Sequence, residues 1–283
     1  MSARFLAAKT LQELPAARIV IQGVPWDGSV SWRHGAAAGP QGIREASESI
    51  EEFSLRQRRS LAEVAFVDVG DLALPEDAAG AVSAVANATE RWARSGAVVV
   101  TLGGDHSISI GTARGLHRVY PDLTHIVFDA HFDFRPEYDG TPYSHACGTR
   151  RMAELGPTAV LGARSAAAEE LGDAERTGLV WSSALALPAG QAERFRDRPL
   201  HLSIDCDVLD PSTLPGTGNP EPGGAGYLEL LHAIEALIRE FRVVAVDVCE
   251  TAPPLDPSGM SAVVAASLVR ELVLLLDAAL RAS

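Results

Sequence analysis

Acidic and imidazole side chains follow four apolar stretches of this sequence. They are His106, Asp129, His131, Asp133, Asp205, Asp207 and Glu250. An ionised carboxylate is costly to bury unless a positive charge lies beside it. Carboxylate and imidazole groups together are ligands for divalent cations such as Mn²⁺, whereas closed zinc sites usually contain cysteine. The residue types therefore predict a centre for divalent metal ions.

The spacing of these residues indicates that they converge on one side of the chain. In "DAHFD" (residues 129–133) and "DCD" (residues 205–207), every second position holds an acid or a histidine. Alternate side chains of an extended chain point the same way. Four carboxylates so close together would repel one another and stay protonated unless cations held them. With His106 as a sixth group, the pattern predicts two divalent ions.

The apolar stretches that precede these groups are predicted β-strands, and helical patterns separate them. Runs such as "AVVVTL", "HIVF" and "PLHLSI" are rich in apolar residues, which is typical of parallel strands covered on both faces. We predict an α/β fold of three α/β/α layers with a doubly wound, mostly parallel sheet, in a single domain over residues 1–283. Ligands of such sheets bind beyond the carboxyl ends of the strands, where the candidate ligands stand.

Two other segments are predicted helices. The stretch "PQGIREASESIEEF" predicts a helix over residues 40–53, with Pro40 near its start, where the missing N–H does no harm. Residues 260–283 are apolar, but four charged residues interrupt them, which indicates a buried helix instead of a membrane span. The first residues lack the apolar core of a signal peptide, and three cysteines are too few for a disulfide framework. We expect a cytoplasmic protein without membrane contact.

The overall charge of the chain narrows the class of partner. The formal net charge is −13, the pI is near 5.0, and Lys9 is the only lysine. Nucleic acids are bound through clusters of lysine and arginine, so we expect no nucleic-acid partner. The acidic balance favours small cationic molecules.

Several polar residues have structural interpretations. Asp105 stands in a strand-to-helix turn, which favours a capping or orienting role. His34 lies in a loop that could border the site. The remaining histidines without acidic neighbours at ligand spacing are expected to be structural: His117, His125, His201 and His232. Cys206 alternates with two candidate ligands and is predicted to face away from them, as a small core residue.

The motifs taken together resemble those of the ureohydrolase family, which includes arginases and agmatinases. "GGDHS", "DAHFD" and "SIDCDVLDP" are similar to the three metal motifs of that family. "GVPWDGSVSWRHGAAAGPQGIREAS" is similar to its N-terminal region, with His34 where a proline is expected. "YSHACGTRRM", "PGTGNPEPGG" and "DVCETAPPLDPSGMSAVVAASLVREL" resemble the agmatinase branch, so that the resemblance spans almost the whole chain.

The resemblance implies an arginase-type fold and two Mn²⁺ ions per subunit. One ion would be held by His106, Asp129, Asp133 and Asp205, and the other by Asp129, His131, Asp205 and Asp207. Asp129 and Asp205 would bridge the two ions. Because all ligand positions are kept, we expect an active enzyme.

The implied reaction is hydrolysis of a guanidino compound to urea and an amine. Divalent cations lower the pKa of bound water from about 15.7 to about 7, which supplies hydroxide at neutral pH. By resemblance, Asp133 orients the water and accepts its proton, and His145 shuttles a proton to the leaving amine. Glu250 pairs with the guanidinium group. Asn219 stands where many relatives carry threonine, and we expect it to keep a substrate-binding role.

The loop "FRPEYDGTPYSH" is expected to contact the tail of the substrate. Glu137 and Asp139 favour an amine tail and therefore agmatine, whereas Arg135 could pair with a carboxylate such as that of 4-guanidinobutyrate. Aminopropylagmatine, arginine and formimino compounds stay open as alternatives. A metal-binding regulatory protein without activity is a further alternative. By analogy with the family we expect a homo-oligomer, a trimer or a hexamer.

Overall fold

The computed structural model describes residues 4–282 and has a parallel β-sheet at its centre. The strands are β1 (Ile19–Gly23), β2 (Phe53–Ser54), β3 (Arg59–Ser60), β4 (Phe66–Asp71), β5 (Val98–Leu102), β6 (Thr124–Phe128), β7 (Thr158–Leu161), β8 (Val180–Ser182), β9 (Pro199–Asp205) and β10 (Arg242–Cys249). Eight of them form one sheet in the order β4-β1-β5-β10-β9-β6-β7-β8, and all their pairings are parallel. The sheet is the one that the apolar strands predicted.

Helices cover both faces of this sheet. They are α1 (Gly39–Ser47), α2 (Ala78–Arg94), α3 (Ile108–His117), α4 (Gly148–Ala153), α5 (Ala168–Thr177), α6 (Tyr227–Glu240) and α7 (Met260–Ala282). α1, α6 and α7 pack together on one face, and α2, α3 and α4 pack together on the other. Ala174 of α5 joins Ala113 and Met152 in a buried cluster on that second face. These layers confirm the predicted three-layer α/β/α fold.

The alternation of side chains along the central strands explains how the two layers differ. In β9, Leu200, Leu202 and Ile204 belong to the large apolar core that α6 and α7 cover. The intervening His201 and Ser203 face the α3 layer, where they contact polar groups and not apolar ones. Beneath α3 the sheet therefore has a polar strip along β9 that leads to its carboxyl edge, beside apolar clusters that include Val99 and Val127.

The N-terminal helix is shorter than the sequence pattern predicts. α1 ends at Ser47, and the strand pair β2–β3 follows as an antiparallel hairpin, so the prediction of a helix to residue 53 is wrong. Glu51 and Glu52 would lie at a helix C-terminus, where the helix dipole disfavours negative charge. Ser54 instead donates a hydrogen bond to Glu271 of α7 at 2.9 Å, which holds the hairpin against the core.

The C-terminal apolar stretch forms one long helix. α7 contains 23 residues, and its side chains from Ser261 to Leu276 are largely buried against the sheet, as predicted. Within residues 4–282, no helix combines the length and the apolar character that crossing a membrane requires.

Candidate metal centre and active site

The candidate ligands lie at the carboxyl edge of the sheet, at the ends of its four central strands. His106 follows β5, and Asp129 follows β6. Asp205 is the last residue of β9, and Glu250 follows β10. Because β5, β10, β9 and β6 are neighbours in that order, residues that are far apart in sequence meet at one place.

The structure brings the six predicted ligands together in two overlapping groups. One group contains His106, Asp129, Asp133 and Asp205, and the other contains Asp129, His131 and Asp207. Within each group, the ligand atoms lie within 4.8 Å of one another. Asp129 is common to both groups, as the resemblance implied. Asp205, which was expected to bridge as well, belongs to the first group.

The imidazole of His106 faces the carboxylates of the first group. Its Nδ1 lies 3.1 Å from Oδ2 of Asp129 and 3.1 Å from Oδ2 of Asp133. The Oδ2 atom of Asp205 is 3.3 Å from the same nitrogen. The other ring nitrogen, Nε2, lies 3.0 Å from Oγ of Ser203. This second contact orients the ring so that Nδ1 is available to a cation.

The buried acids of this cluster fit divalent cations. Oδ2 of Asp129 is buried and has no aligned hydrogen bond, although Nδ1 of His106 is near it. Burial raises the pKa of Asp205 well above its ordinary value, and the charges of Asp207 and Asp129 raise it further. Burial opposes charge on His106, yet hydrogen bonds to Asp129 and Asp133 raise its pKa well above the ordinary value. Cations at this place would replace the protons that otherwise hold the acids together.

The acids converge for a different local reason from the predicted one. β6 ends at Phe128, and β9 is followed by a 3₁₀ turn over Cys206–Val208, so neither motif is extended throughout. Asp133 has a φ of 48°, in the left-handed region. Turns after the strands, and not alternation along a strand, therefore aim the acids at one point. Cys206 packs in the apolar core, as expected.

Glu250 lies beside the metal ligands on a turn with unusual backbone geometry. Its φ is 60°, and its Oε1 accepts a hydrogen bond from the backbone N–H of His106 at 2.9 Å. Burial raises the pKa of Glu250 well above its ordinary value, and the charge of Asp105 adds to this effect. A cationic substrate group beside this carboxylate would stabilise its ionised form.

His145 borders the same site from the far end of the connection that follows β6. Its backbone N–H donates to Oγ of Ser29 at 2.9 Å, and its Nδ1 lies 3.3 Å from Oγ of Ser144. Ser29 in turn donates from Oγ to Oδ2 of Asp105 at 2.9 Å. Asp105 therefore holds the loops beside the site and belongs to neither ligand group. This agrees with the orienting role that its turn position predicted.

A cavity of about 180 Å³ opens beside the two ligand groups. It is lined by Asp133, His145, Asp205, Asp207 and Glu250, together with Ser31, Phe132, Tyr138 and Asn219. Nδ2 of Asn219 donates to Oγ of Ser31 at 3.3 Å, so Asn219 lies at the wall where a substrate tail would pass. All the predicted catalytic and substrate-binding residues thus face one cavity.

The charged residues of the neighbouring loop are arranged differently from the sequence-based expectation. Glu137 and Asp139 are exposed and do not line the cavity. Arg135 does line it, with Nη2 3.6 Å from Oε2 of Glu170 and its guanidinium over the ring of Tyr138. The acidic pair therefore gives no support for an amine tail. His34 is also outside the cavity and lies 3.7 Å from Asp27.

A buried polar chain beneath the site was missed at the level of sequence. Nε2 of His201 lies 2.8 Å from Oδ2 of Asp247, so His201 is a buried structural residue, as expected, but its acidic partner is distant in sequence. Its Nδ1 lies 3.2 Å from Nδ1 of His125, and Thr112 donates to Oδ1 of Asp247 at 3.0 Å. These residues come from α3, β6, β9 and β10. No local sequence signal links them, because the contacts depend on strand order.

A second cavity, of about 760 Å³, lies far from this chemistry. It is lined by Val98 at the start of β5, by residues 242–244 at the start of β10 and by the end of α7. It is thus at the amino edge of the sheet, and none of the predicted site residues reaches it. Size alone does not mark the functional site here.

The sequence of the whole chain has known relatives. Residues 17–275 match the model of the arginase family. The chain belongs to this family. An agmatinase from Halalkalibacterium halodurans is 36% identical over 264 residues, which cover 91% of each chain. An N(1)-aminopropylagmatine ureohydrolase from Thermococcus kodakarensis is 35% identical over 265 residues, which cover 89% of each chain.

The fold of this arginase-family member also has solved counterparts. Proclavaminate amidino hydrolase from Streptomyces clavuligerus superposes with a TM-score of 0.88 at 27% identity, over 99% of this chain and 98% of that one. Together with the sequence match, this similarity identifies the protein as a hydrolase that acts on C–N bonds of guanidino compounds.

Proposed function

We propose that this protein hydrolyses agmatine to putrescine and urea at a site that binds two Mn²⁺ ions. The observation that carries the proposal is the pair of ligand groups sharing Asp129, with Glu250 beside them in one cavity. The agmatinase from Halalkalibacterium halodurans supports the choice of substrate, because similarity to it extends over almost the whole chain. Mn²⁺ suits a donor set of carboxylates with two imidazoles.

The proposed metal ligands are the six residues named from the sequence. His106, Asp129, Asp133 and Asp205 would hold one ion, and Asp129, His131, Asp205 and Asp207 would hold the other. When bound, the ions supply hydroxide for attack at neutral pH. Their positive charge also offsets the repulsion among the four carboxylates.

Three side chains bind the substrate or transfer protons. Glu250 pairs with the guanidinium group and fixes its carbon near the shared ligand Asp129. Asp133 orients the attacking water and accepts its proton. The bond between the guanidinium carbon and the alkyl nitrogen then breaks, and His145 delivers a proton to that nitrogen. The second proton of the water leaves as the urea carbonyl forms and restores His145, and the proton on Asp133 passes to the released amine, so that water and the guanidinium cation give urea and an alkylammonium ion.

The cavity wall supports a substrate without a carboxylate tail. Arg135 is the one arginine among the described residues that line the cavity, and Glu170 and Tyr138 already contact it. A carboxylate would have to compete with Glu170 for this guanidinium group. Asn219 and Ser31 offer neutral hydrogen-bonding groups to an amine instead. An aminopropyl-extended agmatine is the second candidate, because the relative from Thermococcus kodakarensis bears that name.

A substrate panel tests the proposal directly. Urea release is measured with Mn²⁺ for agmatine, aminopropylagmatine, arginine, 4-guanidinobutyrate and 3-guanidinopropionate. We expect the highest kcat/KM for agmatine and little urea from the guanidino acids. Higher kcat/KM for a guanidino acid would overturn the choice of agmatine. Mn²⁺ uptake without urea from any compound would favour a regulatory protein or a formimino hydrolase.

The setting of the enzyme is part of the same proposal. We infer a single catalytic domain over residues 1–283 that acts in the cytoplasm as a homo-oligomer, a trimer or a hexamer. The arginase-family match over residues 17–275 supports one domain. The low lysine content and the charge of −13 support a small cationic substrate and speak against nucleic acid as a partner.

A further inference from the structure

One arginine joins a metal-ligand turn to the wall of the substrate cavity. This part of the wall is the Asn219 loop, residues 216–226, which directly precedes α6. Nη2 of Arg164 donates to the backbone oxygen of Asp207 at 2.8 Å and to that of Glu221 at 2.7 Å. A single nitrogen atom therefore connects the backbone of a candidate ligand with the Asn219 loop.

The remaining contacts of Arg164 strengthen this connection. Nε donates to the backbone oxygen of Pro222 at 3.2 Å, and Nη1 donates to that of Val208 at 3.3 Å. The backbone N–H of Arg164 also donates to the oxygen of Ala130 at 2.8 Å. Ala130 lies between the ligands Asp129 and His131. Arg164 thus touches both ligand turns that build the second group and the loop that faces the substrate.

A second arginine holds the same loop from the other side and reaches no ligand turn. Nη2 of Arg33 donates to the backbone oxygen of Thr217 at 2.6 Å, and its Nε donates to that of Gly218 at 3.1 Å. The guanidinium stacks over the ring of Trp32, with 4.5 Å from Cζ to the ring centre. Arg33 is therefore a natural comparison for Arg164, because it makes the loop contact alone.

We propose that Arg164 is a positioning residue that couples the His131–Asp207 metal subsite to the substrate wall. The planar guanidinium supplies donors in fixed directions, and here they fix the backbone of residues 207–208 and of residues 221–222 relative to one another. Outer contacts of this kind orient metal ligands, and their loss typically costs about 10- to 100-fold in metal affinity. Arg33 positions the wall only. This inference uses the ligands of the proposed function, but its first test measures metal binding without substrate.

Binding of Mn²⁺ alone tests the coupling. The variants Arg164→Gln and Arg33→Gln each remove one guanidinium, and equilibrium dialysis gives the affinity and number of bound ions. We expect Arg164→Gln to lower the affinity for one of the two ions about 10- to 100-fold. Arg33→Gln should bind both ions as the unchanged protein does. Equal affinities in all three proteins, or equal losses in both variants, would overturn the proposal.

Urea kinetics with agmatine provide the second test. Both variants lose a contact with the Asn219 loop, so KM for agmatine should rise about tenfold in each. Saturating Mn²⁺ should restore kcat of Arg164→Gln while its KM stays raised, a split that general unfolding would not produce. An unchanged KM in Arg164→Gln would also contradict the coupling. Absence of urea from the unchanged protein would refute agmatine as the substrate and leave the metal-binding result intact.

A conservative replacement covers the case in which Arg164→Gln does not fold. Arg164→Lys keeps the charge, but its one ammonium group cannot contact Asp207, Glu221 and Val208 in the same directions. If this variant folds, as judged by circular dichroism, we expect the same selective loss of one ion. Full affinity for both ions in Arg164→Lys would show that charge alone is needed and would overturn the geometric role.

Discussion

At the scale of single residues, two functional acids occupy backbone conformations that most side chains avoid. Asp133 has a φ of 48° and Glu250 a φ of 60°. Such conformations cost roughly 1–3 kcal/mol for residues other than glycine, although aspartate tolerates them better than most. The surrounding fold holds both acids in place, which keeps their carboxylates aimed into the cavity. The residue types and their spacing predicted which side chains come together, but not these turns, because local spacing does not specify φ.

Asp133 offers a sharp test because Asp139, on the same loop, can serve as a matched control. Asp133→Asn should lower kcat for urea release by at least about 10²-fold, since the amide cannot accept the proton of the attacking water. Asp139 also has a φ of 48°, but it is exposed and outside the cavity. Asp139→Asn should therefore leave kcat within about twofold.

Thermal unfolding of both variants separates chemistry from folding. Asparagine tolerates the left-handed region of backbone conformation, so neither substitution strains the backbone. We expect the midpoint of Asp133→Asn to stay within a few degrees of the unchanged protein when both are metal-free. A normal kcat in Asp133→Asn, or an equal loss in Asp139→Asn, would refute the catalytic assignment.

At the scale of elements, the central strands are held together by polar as well as apolar contacts. His201 on β9 pairs with Asp247 on β10, and Thr112 of α3 completes the contact. All three side chains are fully buried. Removing one partner of a buried pair leaves the other without compensation, which typically costs about 3–5 kcal/mol.

His201 and His125, the two histidines of the buried polar contacts, should differ in their contribution to stability. His201→Leu leaves the carboxylate of Asp247 buried with Thr112 alone, so we expect the free energy of unfolding to fall by about 3–5 kcal/mol. Nε2 of the neighbouring His125 has no hydrogen-bond partner, and burial lowers the pKa of His125 well below its ordinary value. His125→Leu should therefore cost less than about 1.5 kcal/mol. Urea denaturation measures both, and equal losses would contradict this account.

Most of the elements were predictable, and the exceptions have a common cause. Continuous apolar runs such as β5 and β6 predicted the parallel sheet, since such runs need cover on both faces. The short helix α1 and the hairpin β2–β3 were missed, because Ser54 and Glu271 decide that region through a contact across 217 positions. The pairing of His201 with Asp247 was missed for the same reason. Contacts that depend on strand order cannot be predicted from a local sequence pattern.

At the scale of the whole molecule, the cluster of acids and histidines should govern how stability depends on pH. Hydrogen bonds and acidic neighbours, acting against burial, raise the pKa of His106 and of His131 above the ordinary histidine value of 6.5. Burial raises the pKa of Asp205 and Glu250. Above pH 6.5, the metal-free folded chain therefore binds more protons than the unfolded chain. Its stability must fall as the pH rises, until the raised pKa values are passed.

Two other groups do not disturb this prediction. Hydrogen bonds from Ser212 lower the pKa of Asp210 to about 2, so its stabilising effect is lost only in strong acid. The lowered pKa of His125 adds stability on passing pH 6.5 from below, and this contribution is complete at higher pH. Burial raises the pKa of the three cysteines as well, which adds a smaller fall in stability near pH 8.5, so the fall just above neutrality reports on the cluster of acids and histidines.

Calorimetry of the metal-free protein checks the expected direction. Between about pH 7 and 8.5, the free energy of unfolding should fall by at least about 1 kcal/mol, which lowers the midpoint by roughly 2–4 °C. Added Mn²⁺ should raise the midpoint more at pH 8.5 than at pH 7, because its ligands must lose protons to bind it. A midpoint that rises with pH without metal would contradict the inferred protonation of the cluster.

The placement of the ligands on turns, outside the regular strands, has a practical consequence. The apolar core beneath them is continuous from β1 to α7 and does not include the ligand side chains. We therefore expect chelators to remove the proposed ions through the open cavity while the scaffold stays folded. We expect the metal-free protein to bind Co²⁺ or Ni²⁺ in place of Mn²⁺. The Mn²⁺ form is spectroscopically quiet, whereas substrate binding to the substituted form would be visible in its absorption spectrum.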